Sequence, residues 1–302
     1  MAGKKGFFGP LIRWLLSCFR GVGRVKGKAP TARLITVGNS HFCEKARWVL
    51  DMSGTPYVED AHMPLIHSHF TAEATQGGST SVPVLVLGEG KVITDSSEIA
   101  DHIAAAHPSL ELYPPEQREA IKAFEEACNT TMAVAIRRMF YAVYCDNLWT
   151  QSLLARLYFG QNSIIENILL PITMFFFSRL IKRGGMVVSR VGEYQRDIER
   201  VLDDVEQRLS DGRSYLFGER MTAADICFAS MAALLVRPTE LQTIIGTDAI
   251  VPSTYKKLVD HYRSRRAGQF ILRMYSEHRL SEGVKAAPFR QDPANKILGL
   301  RF

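Results

Sequence analysis

Ser40 stands where a short aliphatic run, Leu34–Val37, is broken by Gly38-Asn39 and a helical pattern begins. A hydroxyl at that junction, beside the free N–H groups of a helix N-terminus, can stabilise an anion, and the same Ser can also serve as N-cap. Cys43 follows three residues later, the spacing of a C-x-x-C redox pair whose first Cys is replaced by Ser. A helix N-terminus lowers the pKa of an accessible thiol, although free Cys more often packs in the interior. Asp95-Ser96 opens a second helix, where either residue can cap. His62, His67 and His69 flank Met63-Pro64-Leu65-Ile66 without a nearby Cys or a helical i, i+4 pair. They read as solvent-facing or loop histidines, and no metal site is expected.

The elements that must position these residues follow from periodicity and breakers. Leu34–Val37 is a strand, and Phe42, Ala46, Val49, Leu50 and Ser53 mark one helical face, with Gly54 as its stop. Tyr57–Ala61 reads as a second strand. Val84–Leu87, the turn Gly88-Glu89-Gly90 and Lys91–Thr94 read as a hairpin. A last helix carries Ile99, Ile103 and Ala106 and ends at Pro108. Strand-helix-strand followed by hairpin-helix is the order of a thioredoxin-like domain, at 33–107.

The linker 108–115 holds Pro114-Pro115, and 116–280 is helical throughout. Glu116 to about Asn147 reads as one long helix, and Leu153 to about Arg183 as another that Pro171 should kink or break. Val187 to Leu209 is the clearest amphipathic pattern, and Tyr255 to Arg279 reads as the last helix. Ile168–Phe177 is an apolar run too short to span a bilayer, and suits a buried helix or a docking surface. Met221-Thr222-Ala223-Ala224-Asp225-Ile226 is a capping box, with Thr222 at N-cap, Asp225 at N3 and Met221 against Ile226. Residues 281–302 read as a loose tail.

Three motifs carry a resemblance to a known family. Ser40-His41-Phe42-Cys43-Glu44-Lys45-Ala46-Arg47 resembles the first helix start of glutathione S-transferases, and of a bacterial-type branch in particular. Ser81-Val82-Pro83-Val84-Leu85 is similar to their cis-proline segment, and Asp95-Ser96-Ser97-Glu98-Ile99 to their acidic-Ser pair. The resemblance covers about 33–280. It implies a glutathione-binding thioredoxin-like domain, an all-α C-terminal domain, and Ser40 as the residue that stabilises the glutathione thiolate. His41 and Phe42 would neighbour the site, Val82 would pair its backbone with the cysteinyl part, and cis Pro83 would hold that segment open. Asp95 would meet the γ-glutamyl amine and Ser96 the carboxylate. Phe140, Tyr141, Tyr144 and Trp149 are candidates to line the pocket for an electrophilic second substrate. Thr222 and Asp225 would be structural. A homodimer is implied, with glutathione as co-substrate and no metal or nucleotide. Two other readings remain open. One is glutathione-dependent thiol-disulfide or peroxide reduction through Cys43. The other is a non-catalytic adaptor tethered at a membrane.

Composition narrows the setting. The chain has 302 residues, 46% hydrophobic and 23% charged, with five scattered Cys that suit a reducing compartment better than a disulfide framework. Its net charge is +6, yet residues 1–30 alone carry +7, from Lys4, Lys5, Arg13, Arg20, Arg24, Lys26 and Lys28. The remaining chain is close to neutral, so no nucleic-acid partner is expected. Residues 1–32 read as a basic amphipathic extension, with Leu11, Trp14, Leu15, Cys18 and Phe19 at helical spacing. Residues 1–20 could lie on an anionic membrane surface or act as an organelle address. A cytoplasmic location is expected otherwise.

Overall fold

The computed structural model describes residues 32–88, 90–159 and 164–279. The N-terminal extension, the hairpin tip at Glu89 and the tail beyond 279 lie outside the described residues.

Strand β1 (Ala32–Thr36) pairs parallel with β2 (Val58–Ala61) on one side and antiparallel with β3 (Val84–Leu87) on the other. The short β4 (Val92–Ile93) closes the order β2-β1-β3-β4. Helix α1 (His41–Ser53) joins β1 to β2, and α3 (Ser96–Ala106) follows β4. This is a thioredoxin-like sheet with its crossover helix. One helix was not foreseen: α2 (His67–Ala74) lies between β2 and β3, where a loop was expected. It is short and nearly without an apolar stripe, so only Phe70 and Thr71 are buried. Phe70 packs behind the sheet with Ile35 and Val84.

Gly54 ends α1 as its sequence position suggested, with φ +68 and its N–H bonded to the Asp51 carbonyl. The single apolar face expected for α1 is too narrow a description. His41 and every residue from Cys43 to Asp51 are buried, including Glu44, Lys45 and Arg47, because α1 lies between the sheet domain and the helical domain.

The helical half begins with α4 (Arg118–Ala127), continues through a wider π turn at Cys128–Met132 and runs on as α5 (Ala133–Tyr144). The expected long helix is therefore present with a π bulge inside it. The second long helix is two: α6 (Leu148–Tyr158) and α7 (Ile164–Arg183). The helix ends at Phe159, whose backbone is extended, and α7 is continuous across Pro171 instead of breaking there. Then come α8 (Val191–Arg208), α9 (Ala223–Val236), the short α10 (Gln242–Ile245), α11 (Ser253–Ser264) and α12 (Arg266–His278). The last pair was expected as one helix. Arg265 is extended between them, and a Cβ on Gly268 would lie 1.9 Å from the Tyr262 carbonyl oxygen. Only glycine allows the two helices to approach so closely.

Every residue of α9 is buried, as a helix apolar on all sides must be, and it packs against α1, α4, α11 and α12. Its start is the capping box: the Asp225 carboxylate accepts from the N–H of Thr222 at 2.7 Å and from the N–H of Leu216 at 2.8 Å. Burial pushes the Asp225 carboxyl up to about 6 despite these donors. Asp225→Ala is expected to cost about 0.5–2 kcal/mol of stability, the range for a lost cap. Urea unfolding measures it, and a glutathione affinity that falls with no stability loss would contradict the structural role.

Candidate functional site

Ser40 caps α1. Its backbone is extended, and its Oγ accepts the N–H of Cys43 at 3.4 Å. The hydroxyl still has a proton to donate, and the Cys43 sulfur lies within its reach. The turn that presents Ser40 is held from beneath by Arg47, which donates to the Gly38 carbonyl at 3.0 Å and to the Glu59 carboxylate at 2.7 Å. Cys43 faces the interior: it is fully buried, and burial pushes its thiol pKa up.

The Val82–Pro83 bond is cis. Asp95 caps α3 by accepting the Ser97 N–H at 2.7 Å. Ser96 is buried, and among the described residues its Oγ has no hydrogen-bond partner. The two helix starts lie side by side, because Lys45 of α1 reaches Ser97 Oγ at 2.8 Å and also pairs with Glu125 of α4 at 2.8 Å. Asn129, in the π turn, donates to the same hydroxyl at 3.0 Å.

A cavity of about 270 Å³ opens at Ser40. The first domain contributes Ser40, His41, Phe42 and Val82, among others, and the helical domain Arg137, Phe140 and Tyr141 of α5, with Phe177 and Ile181 of α7. Among the described residues no carboxylate lines it. Pro83, Asp95 and Ser96 stand outside this lining. His41 is buried, and its pKa is lowered to about 3 by desolvation and by the nearby Arg137 cation. It is therefore a neutral hydrogen-bonding group, and too weak a base to hold a proton near pH 7.

Two of the four aromatic residues expected in the pocket are elsewhere. Tyr144 is fully buried behind the wall, stacked on Phe140, because it lies one turn past the residues that face the opening. Trp149 is 67% exposed at the start of α6. Sequence reasoning missed Arg137, Phe177 and Ile181; Phe177 carried a partial signal as the end of the flagged apolar run. A larger groove, about 750 Å³, lies along the linker near Tyr113 and Phe217 and holds none of the site residues.

The expected solvent-facing histidine His62 is instead a buried latch between domains. Its Nδ1 meets Glu166 of α7 at 2.6 Å and its Nε2 meets Asp60 at 3.1 Å, with the ring stacked on Phe70 at 3.7 Å. Glu166 also accepts the Met63 N–H at 2.8 Å. His67 and His69, expected in a loop, are half-buried on α2, and His67 joins the cavity lining.

Burial alone would lower the His62 pKa, but hydrogen bonds to Asp60 and Glu166 outweigh it and raise it to about 9. The folded protein then holds a proton that the unfolded chain releases above about 6.5. This stabilisation is full below 6.5 and is lost as pH rises through about 9. Unfolding free energy should fall between pH 7 and 9.5, and fall less steeply in His62→Gln. Parallel profiles for the two proteins would contradict the latch.

The sequence matches the family model for the glutathione S-transferase N-terminal domain over residues 34–115. It matches that for the C-terminal domain over residues 186–264. The fold is similar to the glutathione S-transferase CsGST63524 of Ceriporiopsis subvermispora, solved in complex with glutathione. That likeness has 15% identity, 83% of this chain, 98% of that chain and a TM-score of 0.57. It is similar to glutathione transferase GSTFuA3 from Phanerochaete chrysosporium, at 14% identity, 81% of this chain, 96% of that chain and a TM-score of 0.55. The beta-etherase LigF from Sphingobium sp. strain SYK-6 gives 19% identity, 80% of this chain, 98% of that chain and a TM-score of 0.50. No curated protein matches the sequence. At these identities the solved structures speak for the fold, and the two domain matches, in order, for the family. The chain belongs to the glutathione S-transferase superfamily.

Proposed function

We propose that the protein is a glutathione transferase in which Ser40 donates a hydrogen bond to the glutathione thiolate, and the thiolate attacks an electrophile held against α5 and α7. The observation that carries this reading is the Ser40 hydroxyl, held at the N-terminus of α1 and at the mouth of the cavity. A donor to the charged form, beside the positive end of a helix, lowers the thiol pKa and raises the reactive fraction at pH 7. The new bond is carbon to sulfur. The thiol proton passes to solvent, since the neutral His41 is too weak a base to keep it.

Glutathione would run from Ser40 along Val82 to the start of α3. There Asp95 supplies charge for the γ-glutamyl amine, and Ser96 offers its unpartnered hydroxyl to the carboxylate. Ser96→Ala is accordingly expected to raise the Kd for glutathione about tenfold, read by calorimetric titration. An unchanged Kd would contradict that placement.

The aromatic and aliphatic wall of Phe140, Tyr141 and Phe177 suits an apolar electrophile, a detoxification type of substrate, and a homodimer remains part of this reading. The burial and raised pKa of Cys43 weigh against a reductase that uses it as nucleophile. The beta-etherase among the similar folds is a reminder that this architecture hosts more than one chemistry. Retention on immobilised glutathione, followed by conjugation assays over a panel of electrophiles, tests the proposal. A folded protein that neither binds glutathione nor conjugates would favour the adaptor.

A further inference from the structure

Helix α7 is apolar on both faces. Its inner face, with Leu170, Met174, Phe177 and Ile181, is buried against the domain. Its outer face carries Ile168, Ile172, Phe175, Phe176 and Leu180, which fall at intervals of three, four and one and so form one stripe. Ile172 is 61% and Phe176 59% exposed. From Ile168 to Leu180 the stripe is about 18 Å long at 1.5 Å per residue. Soluble surfaces seldom leave such a row uncovered. Among the described residues no helix is long and apolar enough to cross a membrane, so the stripe is a surface and not a span.

The charges around it name what covers it. Between residues 147 and 190 the only carboxylate is Glu166, which is buried on His62. The exposed charges of α6 and α7 are all cationic: Arg156, Arg179, Lys182 and Arg183. None of these four has a carboxylate ion-pair partner among the described residues, and Arg179 lies over the Phe175 ring at 4.4 Å. Lys182 reaches the Asp146 carbonyl at 2.7 Å, which places the start of α6, with exposed Leu148 and Trp149, beside the cationic end of the stripe. A second copy on a two-fold axis would bring only the same face, which offers these cations no exposed carboxylate. The chain's own extension, +7 without an acidic residue, would be repelled by these cations.

We propose that the outer face of α7, with the start of α6, docks on an anionic lipid bilayer. The apolar stripe enters the interface, and Arg179, Lys182 and Arg183 meet lipid headgroups. The basic extension adds a second contact of the same sign, and two weak signals together give firm attachment where one does not. The inner face of the same helix supplies Phe177 and Ile181 to the cavity, so a docked bilayer lies one helix diameter, about 10 Å, from its wall.

Trp149 reports on this face specifically, since Trp48 is fully buried and the remaining tryptophan is Trp14 in the extension. The full chain carrying Trp14→Phe is mixed with vesicles of phosphatidylserine and acyl-brominated phosphatidylcholine. Bromine atoms in the bilayer are expected to quench Trp149 emission by at least half. Vesicles without phosphatidylserine should bind at least tenfold more weakly. Adding Ile172→Glu with Phe176→Glu should abolish quenching while far-UV dichroism and Tm stay unchanged, because both side chains are exposed. Co-sedimentation with Trp149 unquenched would overturn the proposal and assign attachment to the extension alone. Vesicle binding that survives the double substitution, with a dimer dissociated by it in sedimentation equilibrium, would overturn it in favour of a second copy.

Discussion

Arg279→Ala is expected to destabilise the protein by about 3–5 kcal/mol, the cost of breaking a buried ion pair from one side. Arg279 is the last described residue after α12, and its guanidinium is buried beneath α1. It pairs with Glu44 at 2.8 Å and with Asp51 at 2.8 Å, and lies 5.7 Å over the Trp48 ring. Glu44 also meets Arg47, which holds Glu59 at 2.6 Å, and Glu59 accepts the Thr36 hydroxyl at 2.8 Å. Removing Arg279 leaves Glu44, among the described residues, with the longer 3.4 Å contact to Arg47 and takes a cation away from the buried Asp51. Equilibrium urea unfolding of the full chain reads the loss directly. A change below about 1 kcal/mol would mean that water reaches these carboxylates and that the network does not clamp the end of α12 to α1.

What could be read from the sequence and what could not divide along the distance over which a signal acts. The Ser40 cap, the Gly54 stop and the Thr222–Asp225 box are local: each is a hydrogen bond to the backbone within three or four residues. They were legible for that reason. The Arg279–Glu44 pair joins positions 235 residues apart, and His62 meets Glu166 across 104, with no local trace of either. Glu44, Lys45 and Arg47 look like a solvated face until α9 and α12 are laid over them. Pro171 does not break its helix, since a helix can keep a proline at an exposed position, and the break falls at Phe159. At the site, the residues on the β1–α1 turn were recognisable as motif. Arg137, Phe177 and Ile181 reach the same cavity from helices whose packing no short pattern encodes.

Ser40→Ala is expected to leave glutathione affinity nearly unchanged and to raise the pKa of the bound thiol by about one to two units. Contacts from Val82, Asp95 and Ser96 set affinity in this account, while the hydroxyl acts on the thiolate form alone. One hydrogen bond to a charged group is worth roughly 1.5–3 kcal/mol, which is the stated shift. Conjugation at neutral pH should fall in proportion and recover partly at higher pH, where the thiol ionises unaided. Cys43→Ala should show neither effect, because that thiol is buried and is not part of the cavity lining. The decisive measurement is the thiolate absorbance of bound glutathione, titrated across pH in the wild type and in both variants. The account predicts a titration displaced upward in Ser40→Ala and superimposable curves for Cys43→Ala and wild type. A displaced curve for Cys43→Ala with an unmoved one for Ser40→Ala would contradict it and make Cys43 the residue that meets the sulfur.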